Sequence, residues 1–226
     1  MLQVWQTEIM SGTGTRPRSP RGGRPTRGQA AQLEQDIRAH ALAVFLEQGY
    51  EATKMDAIAS AAGTTKATLY ARFSSKEALF QEVVQWAIVQ PDWPIRESEP
   101  PDLDDLEVAL RAVAQAAVRR ALHPSMVKLA RIAIAKADRF PDLARQTYAA
   151  PTFPRRRFVV QLLERHAATG AIALPGDTAM LAELFLGLVA SVPARLASLG
   201  ILREPEVQEE HTELAVQVFL RSLHRC

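Results

Sequence analysis

Thr53-Lys-Met-Asp-Ala-Ile-Ala-Ser-Ala-Ala-Gly63-Thr-Thr-Lys-Ala-Thr-Leu-Tyr-Ala-Arg-Phe73-Ser-Ser-Lys-Glu-Ala-Leu-Phe80 reads as a short helix, a glycine turn, a second short helix and the start of a third. Met55, Ile58, Ala59 and Ala62 recur at helical spacing and give the first helix one narrow apolar face. Thr53 with Asp56 predicts a cap at its start. Gly63 predicts its end, because glycine takes the left-handed closing conformation at little cost. Thr64 or Thr65 caps the next helix. At about 100° per residue, Leu69 and Phe73 share an inner side of it, while Ala67, Thr68, Tyr70 and Ala71 share the outer one. Ser74 with Glu77 predicts a further cap, so the third helix starts near Ser75.

A helix-turn-helix of this kind presents its second helix to the major groove of DNA. The outer face suits that task, since its two alanines allow close approach to base edges. Thr68, and Lys66 and Arg72 on the flanks, can bond bases, and one good bidentate contact discriminates by about 1–3 kcal/mol. Thr65 at the helix entry and Lys54 before the first helix extend the same surface. Tyr70 and Lys76 stand where a hydroxyl and an ammonium can hold backbone phosphates, which positions the helix without reading sequence.

These residues resemble the helix-turn-helix of TetR-type bacterial transcriptional regulators. The family pattern is matched by Ile58-Ala59-Ser60-Ala61-Ala62-Gly63, by Thr68-Leu69-Tyr70-Ala71-Arg72-Phe73 and by Ser75-Lys76-Glu77-Ala78-Leu79. The resemblance implies that the helix from Thr65 is the recognition helix and that Tyr70 and Lys76 contact phosphate. Two departures are Thr64, where valine is usual, and Ala71-Arg72, where aromatic or histidine side chains are frequent. The second change implies an altered base preference.

Upstream, Leu33 to Gln48 carry Leu33, Ile37, Ala41, Val44 and Phe45 at helical spacing, with Gly49 ending that helix and Tyr50 packing back. Residues 1–28 read as a basic, disordered arm, because prolines and glycines between Arg16 and Arg27 forbid a stable helix. Arg21, Arg24 and Arg27 can order in a narrow minor groove beside the major-groove site. The predicted organisation is this arm, a DNA-binding domain over 29–75, and a helical regulatory and dimerisation domain over 76–226, with 76–89 as the connecting helix. Net charge is +2 over 226 residues. Lys and Arg number 10 against 8 acids in residues 1–89, and 17 against 17 in 90–226. The positive surplus therefore lies at the DNA-contacting end.

Beyond residue 89 the sequence predicts helices only, so the fold class is all-α. They run from a capped restart over Pro100 to Asp105 (Asp102 with Asp105 three residues on) to about Leu122, Pro124 to Arg139, Pro141 to Ala149, Pro154 to Thr169, from Asp177 through a kink or break at Pro193, and from Glu204 or Glu206 to Leu223. The piece Ala137-Asp138-Arg139-Phe140-Pro141-Asp142-Leu143 and the run ending Glu183-Leu184-Phe185-Leu186-Gly187-Leu188 resemble the ligand-binding half of the AefR-like branch of the family. Val113, Met126, Leu129, Phe140, Tyr148, Phe158, Leu162 and His166 are candidate walls for a small-molecule cavity. Tyr148 and His166 are its polar members. Leu181, Leu184, Phe185, Leu188 and Val192 on one helix and Leu214, Val218 and Phe219 on another predict a core that continues into a homodimer interface.

The reading that follows is a dimeric repressor, released from a palindromic double-stranded operator by a small apolar or aromatic ligand. A regulator that is constitutive or gated by a protein partner is the alternative, and an all-helical enzyme a remote one. The histidines show no metal-ligand spacing, and no catalytic residue, metal or cofactor is expected. The lone Cys226 excludes a disulfide within one chain and suits the cytoplasm. The longest nearly apolar run, Ala179 to Val192, contains Glu183 and falls short of the roughly 20 residues needed to cross a bilayer, so no membrane role is expected. Met10 offers an alternative start.

Overall fold

The computed structural model describes residues 27–89, 104–141 and 154–223. Among them there is no strand. Helices α1 (Arg27–Ala52), α2 (Met55–Ala61), α3 (Lys66–Arg72) and α4 (Lys76–Val89) precede α5 (Leu106–Leu122), α6 (Pro124–Ala135), α7 (Pro154–Ala168), α8 (Thr178–Leu186), α9 (Val192–Ser198) and α10 (Pro205–Ser222). The chain divides into compact units Met1–Glu34 and Gln35–Cys226, and the described part of the first is the opening of α1.

α1 starts earlier than its apolar spacing suggests. Arg27 and Gly28, assigned from sequence to the arm, are helical. After Pro25 only Gly28 disfavours a helix before Leu33, so it propagates back from its packed turns. Near the other end Gly49 breaks the helix with φ 76° and ψ 168°, a conformation essentially restricted to glycine. Tyr50 then turns inward and is buried, as its position predicts.

Two of the predicted caps move. Thr53 is buried and its Oγ1 donates to the Gly49 carbonyl at 2.6 Å, so it secures the turn behind it and leaves the α2 cap position to Lys54. At α4 the capping hydroxyl is that of Ser75, which accepts from the Ala78 amide at 3.1 Å, in place of Ser74. The α3 cap is Thr65, accepting from the Thr68 amide at 3.1 Å. Gly63, at φ 61°, closes α2, with its own amide bonded to Ser60 and the Thr64 amide to Ala59. That pair of bonds is the Schellman closure expected of a glycine here.

The C-terminal half is a bundle around Leu110, Val113, Val159, Leu162, Leu163, Leu181, Phe185, Val189, Val216, Phe219 and Leu223. Leu181, Phe185 and Phe219, assigned from sequence to a dimer interface, are buried in this core, with the two phenyl rings 4.9 Å apart. Helical spacing alone does not distinguish an inner apolar face from an outer one. Pro193 does not end its helix. Gly187–Ser191 form a π-helical turn between α8 and α9, and the helix continues. The wider turn accommodates a residue that lacks an amide hydrogen and crowds the carbonyl four positions back. The resulting Thr178–Ser198 helix has 21 residues and is long and apolar enough to cross a membrane, which corrects the shorter span inferred from the apolar run. In this fold its inner side builds the bundle core.

Arg111 on α5 ties the first and last helices of the bundle, meeting Glu213 with two hydrogen bonds of 2.9 Å and Glu107 at 2.7 Å. Hydrogen bonds from Arg111 and then Gln217 hold the Glu213 carboxyl down to about 2. A carboxylate lowered in this way adds stability that is complete above its ordinary value of 4.5 and is lost as pH falls from there toward 2. Acid unfolding followed by circular dichroism is therefore expected to be steeper in pH, between about 5 and 2, for the parent than for Glu213→Gln. Equal slopes would show that the pair contributes nothing.

Candidate nucleic-acid interface

α3 is held by two side chains. Leu69 is 0% and Phe73 4% exposed, whereas Thr65, Lys66, Ala67, Tyr70 and Ala71 face solvent and Thr68 and Arg72 are half-buried. Tyr70 is 45% exposed although it is aromatic. The sequence-derived outer face is thus exposed at Ala67, Tyr70 and Ala71 and half-buried at Thr68. Thr65 and Thr68 hydroxyls lie 2.8 Å apart, which fixes both side chains at the entry of the helix. Arg21 and Arg24 lie outside the described residues, as does the side chain of Arg27.

The cations of this surface are not equivalent. Lys54 is exposed at the start of α2. Lys66 reaches across the turn to Asp56 at 2.8 Å, and that hydrogen bond is the chief reason its pKa is raised. Both partners are exposed, so a phosphate can replace Asp56 at little cost. Lys76 departs from the role its place in the motif implies. Its Nζ donates to the carbonyls of Tyr50 (2.9 Å), Glu51 (3.2 Å) and Thr53 (3.1 Å) and lies 4.5 Å from the Tyr50 ring centre. An ammonium has three protons, and here all three serve the carbonyls where α1 runs out. Lys76 caps the first helix of the domain from the first residue of α4.

α4 is bound to this domain by more than Lys76. Arg38 on α1 meets Glu82 with bonds of 2.8 and 2.6 Å. Phe80 packs on Phe45 at 5.1 Å and on Tyr50 at 4.9 Å. At its far end, Arg120 of α5 donates to the Ala87 and Ile88 carbonyls at 3.3 and 2.8 Å. Basic side chains at a helix C-terminus satisfy carbonyls that lack an intrahelical partner.

Of the proposed cavity walls, Val113 and Leu162 lie in the bundle core and Phe158 packs against it. Leu129 is buried, Met126 and His166 are half-buried, and Tyr148 lies outside the described residues. Phe140 belongs elsewhere. It stands 5.4 Å from Tyr50 and 5.5 Å from Phe80, at the DNA-reading domain, because the chain folds back after α6. Of the proposed dimer residues, Leu184, Leu188, Val192, Leu214 and Val218 are exposed, and so are Met180 and Val207. Among the described residues no three His, Cys, Asp or Glu side chains group as a metal site.

The fold and the exposed α3 face define a helix-turn-helix regulator. The family profile for bacterial regulatory proteins of the tetR family matches residues 37–83, and that of the AefR-like transcriptional repressor C-terminal domain matches residues 108–223, just over half of the chain. The chain belongs to the TetR family of bacterial transcriptional regulators. Over 89 residues it is 33% identical to the HTH-type transcriptional regulator AcrR of Shigella flexneri, a match covering 39% of this chain and 36% of that relative. Among solved structures it is similar to the Flavonoid-responsive Regulator FrrA, at 35% identity, 86% coverage of this chain, 98% of that one and a TM-score of 0.66. A putative TetR-family regulator from Mesorhizobium loti is 26% identical over 89% of this chain and 100% of that one, with a TM-score of 0.70.

The Lys76 geometry carries a direct expectation. Lys76→Ala should lower folding stability by about 1.5–2 kcal/mol, the lower part of the range for charged hydrogen bonds because the ammonium is only partly buried. The slope of log affinity against log salt for DNA should hardly change. A loss of close to one charge from that slope, about 0.9, with unaltered melting temperature would restore the phosphate role.

Proposed function

We propose that this protein is a cytoplasmic homodimeric repressor that binds a palindromic operator and leaves it when a small apolar or aromatic molecule occupies the C-terminal bundle. The observation that carries the reading is the solvent-facing surface of Ala67, Thr68, Tyr70 and Ala71, anchored from behind by Leu69 and Phe73. A helix so held enters a major groove as a rigid body, and two of them about 34–36 Å apart read successive turns.

The second copy is supported by the apolar stripe Met180, Leu184, Leu188 and Val192 beside Val207, Leu214 and Val218. Fully burying one such side chain contributes about 1.5–3 kcal/mol, and these seven, each 36–63% exposed, would gain roughly half of that apiece when covered. The ligand class is supported by the apolar bundle and by the likeness to a regulator described as flavonoid-responsive. Release then requires that the ligand bind more tightly to the dimer geometry that does not fit DNA.

Selection from a random duplex pool tests this function. The selected sequences should contain an inverted repeat. Thr68→Ala and Arg72→Ala should change the preferred bases, while Lys54→Ala should weaken all sequences alike and reduce the salt slope by about 0.9. Failure to enrich any sequence would sink the reading. For the dimer, Leu184→Glu places a charge on a side chain 56% exposed in the single chain, so the fold tolerates it. Subunit dissociation measured by sedimentation should rise at least about a hundredfold, some 3 kcal/mol. An unchanged dimer would exclude this face.

A further inference from the structure

The first turn of α3 directs its hydrogen-bonding groups at the protein itself. The Thr68 amide donates to Thr65 Oγ1 at 3.1 Å, and the two hydroxyls, 2.8 Å apart, bond to each other. The Lys66 ammonium donates to the Asp56 carboxylate at 2.8 Å. Thr68 thus turns its hydroxyl along the helix to the N-cap, and the branch of its side chain left for a ligand is the γ-methyl. Ala67 and Ala71 are exposed and have only a methyl group to offer.

Ala67 and Ala71 are four residues apart and Thr68 and Ala71 three, spacings that bring Cβ atoms to about 5–6 Å on one side of a helix. The three methyls therefore form one patch, with Leu69 and Phe73 buried on the opposite side. Such a patch presents neither donor nor acceptor to a base edge. The apolar group that distinguishes base pairs in the major groove is the methyl on C5 of a pyrimidine, which thymine carries and unmodified cytosine lacks. Successive bases of one strand are about 3.4 Å apart along the axis, so the patch spans two neighbouring bases.

We propose that Ala67, Thr68 and Ala71 are specificity-determining residues that read the C5-methyl groups of pyrimidines, so that each operator half-site places thymines beneath this patch. Thr68 contributes through its methyl, in place of the hydrogen-bonding role its residue type suggests. The inference deepens the operator reading above and rests on it. Its chemistry is tested on a duplex whose specific binding has first been measured, so that the two readings fail separately.

The test uses the full chain and a duplex enriched from the random pool. Each thymine of a half-site is replaced in turn by deoxyuridine, which removes the methyl and keeps every hydrogen-bonding group. At the contacted positions affinity measured by fluorescence anisotropy should fall about fourfold for each methyl removed, the worth of one buried methyl group. At the same positions a cytosine–guanine pair should gain about the same factor when its cytosine is replaced by 5-methylcytosine. Thr68→Ser keeps the hydroxyl and loses the methyl, so at one position it should bind the thymine and uracil duplexes alike. Thr68→Val keeps the methyl and loses the hydroxyl, and should still distinguish them. The base-analogue series needs no variant and decides the matter if either substitution disturbs the fold. Equal binding of thymine and uracil at every position, or a selected half-site without thymine, would overturn the methyl readout and leave the operator established. A chain that enriches no duplex would overturn both readings.

Discussion

The burial of Leu69 and Phe73 is the constraint on which the rest depends. α3 has seven residues, too few for its own hydrogen bonds to keep it helical in water. Only packing holds it, and the two inward side chains fix which side points out. Each contributes about 1.5–3 kcal/mol by leaving water. The same anchoring gives Ala67, Thr68, Tyr70 and Ala71 a fixed orientation, the rigid surface that the proposed contact with base edges requires. Thr65 at its N-cap and Gly63 before it set where α3 begins.

Behind that surface, charged side chains act mainly on backbone. Lys76 closes α1, Arg120 closes α4 and Arg131 closes α9, each by donating to carbonyls at a helix end. These bonds join successive elements end to end, from the first helix of the DNA-reading domain to the helix that bears the exposed leucines. Hydrogen bonds from charged donors are stronger than neutral ones. The elements are therefore fixed at their ends, and the aromatic group of Tyr50, Phe80 and Phe140 is a further contact between the two halves.

Much of this was legible in the sequence because local chemistry determined it. Gly63, the Leu69 and Phe73 pair, and Tyr50 turning inward after Gly49 all follow from spacing and backbone preference. What required the structure was long-range. Lys76 lies 26 residues from its acceptor at Tyr50, and nothing in the motif distinguishes an ammonium bound to carbonyls from one that awaits a phosphate. Phe140 is by sequence a candidate cavity wall, yet the turns after α6 carry it to Tyr50 and Phe80. Leu181, Phe185 and Phe219 share helices with exposed leucines, and only the packed bundle separates the two faces. Thr53 and Ser74 have the right residue types for caps, but neighbouring positions took that role.

The most direct measurement is photocrosslinking from the recognition helix. A reagent on Ala67→Cys, in a chain with Cys226→Ser, is bound to a selected duplex and irradiated, with Gln115→Cys on α5 as the control. The account predicts adducts on bases in two clusters about one helical turn, or a multiple of it, apart, and none from the control. Bound protein that gives no base adduct from position 67, or gives as many from position 115, would contradict it.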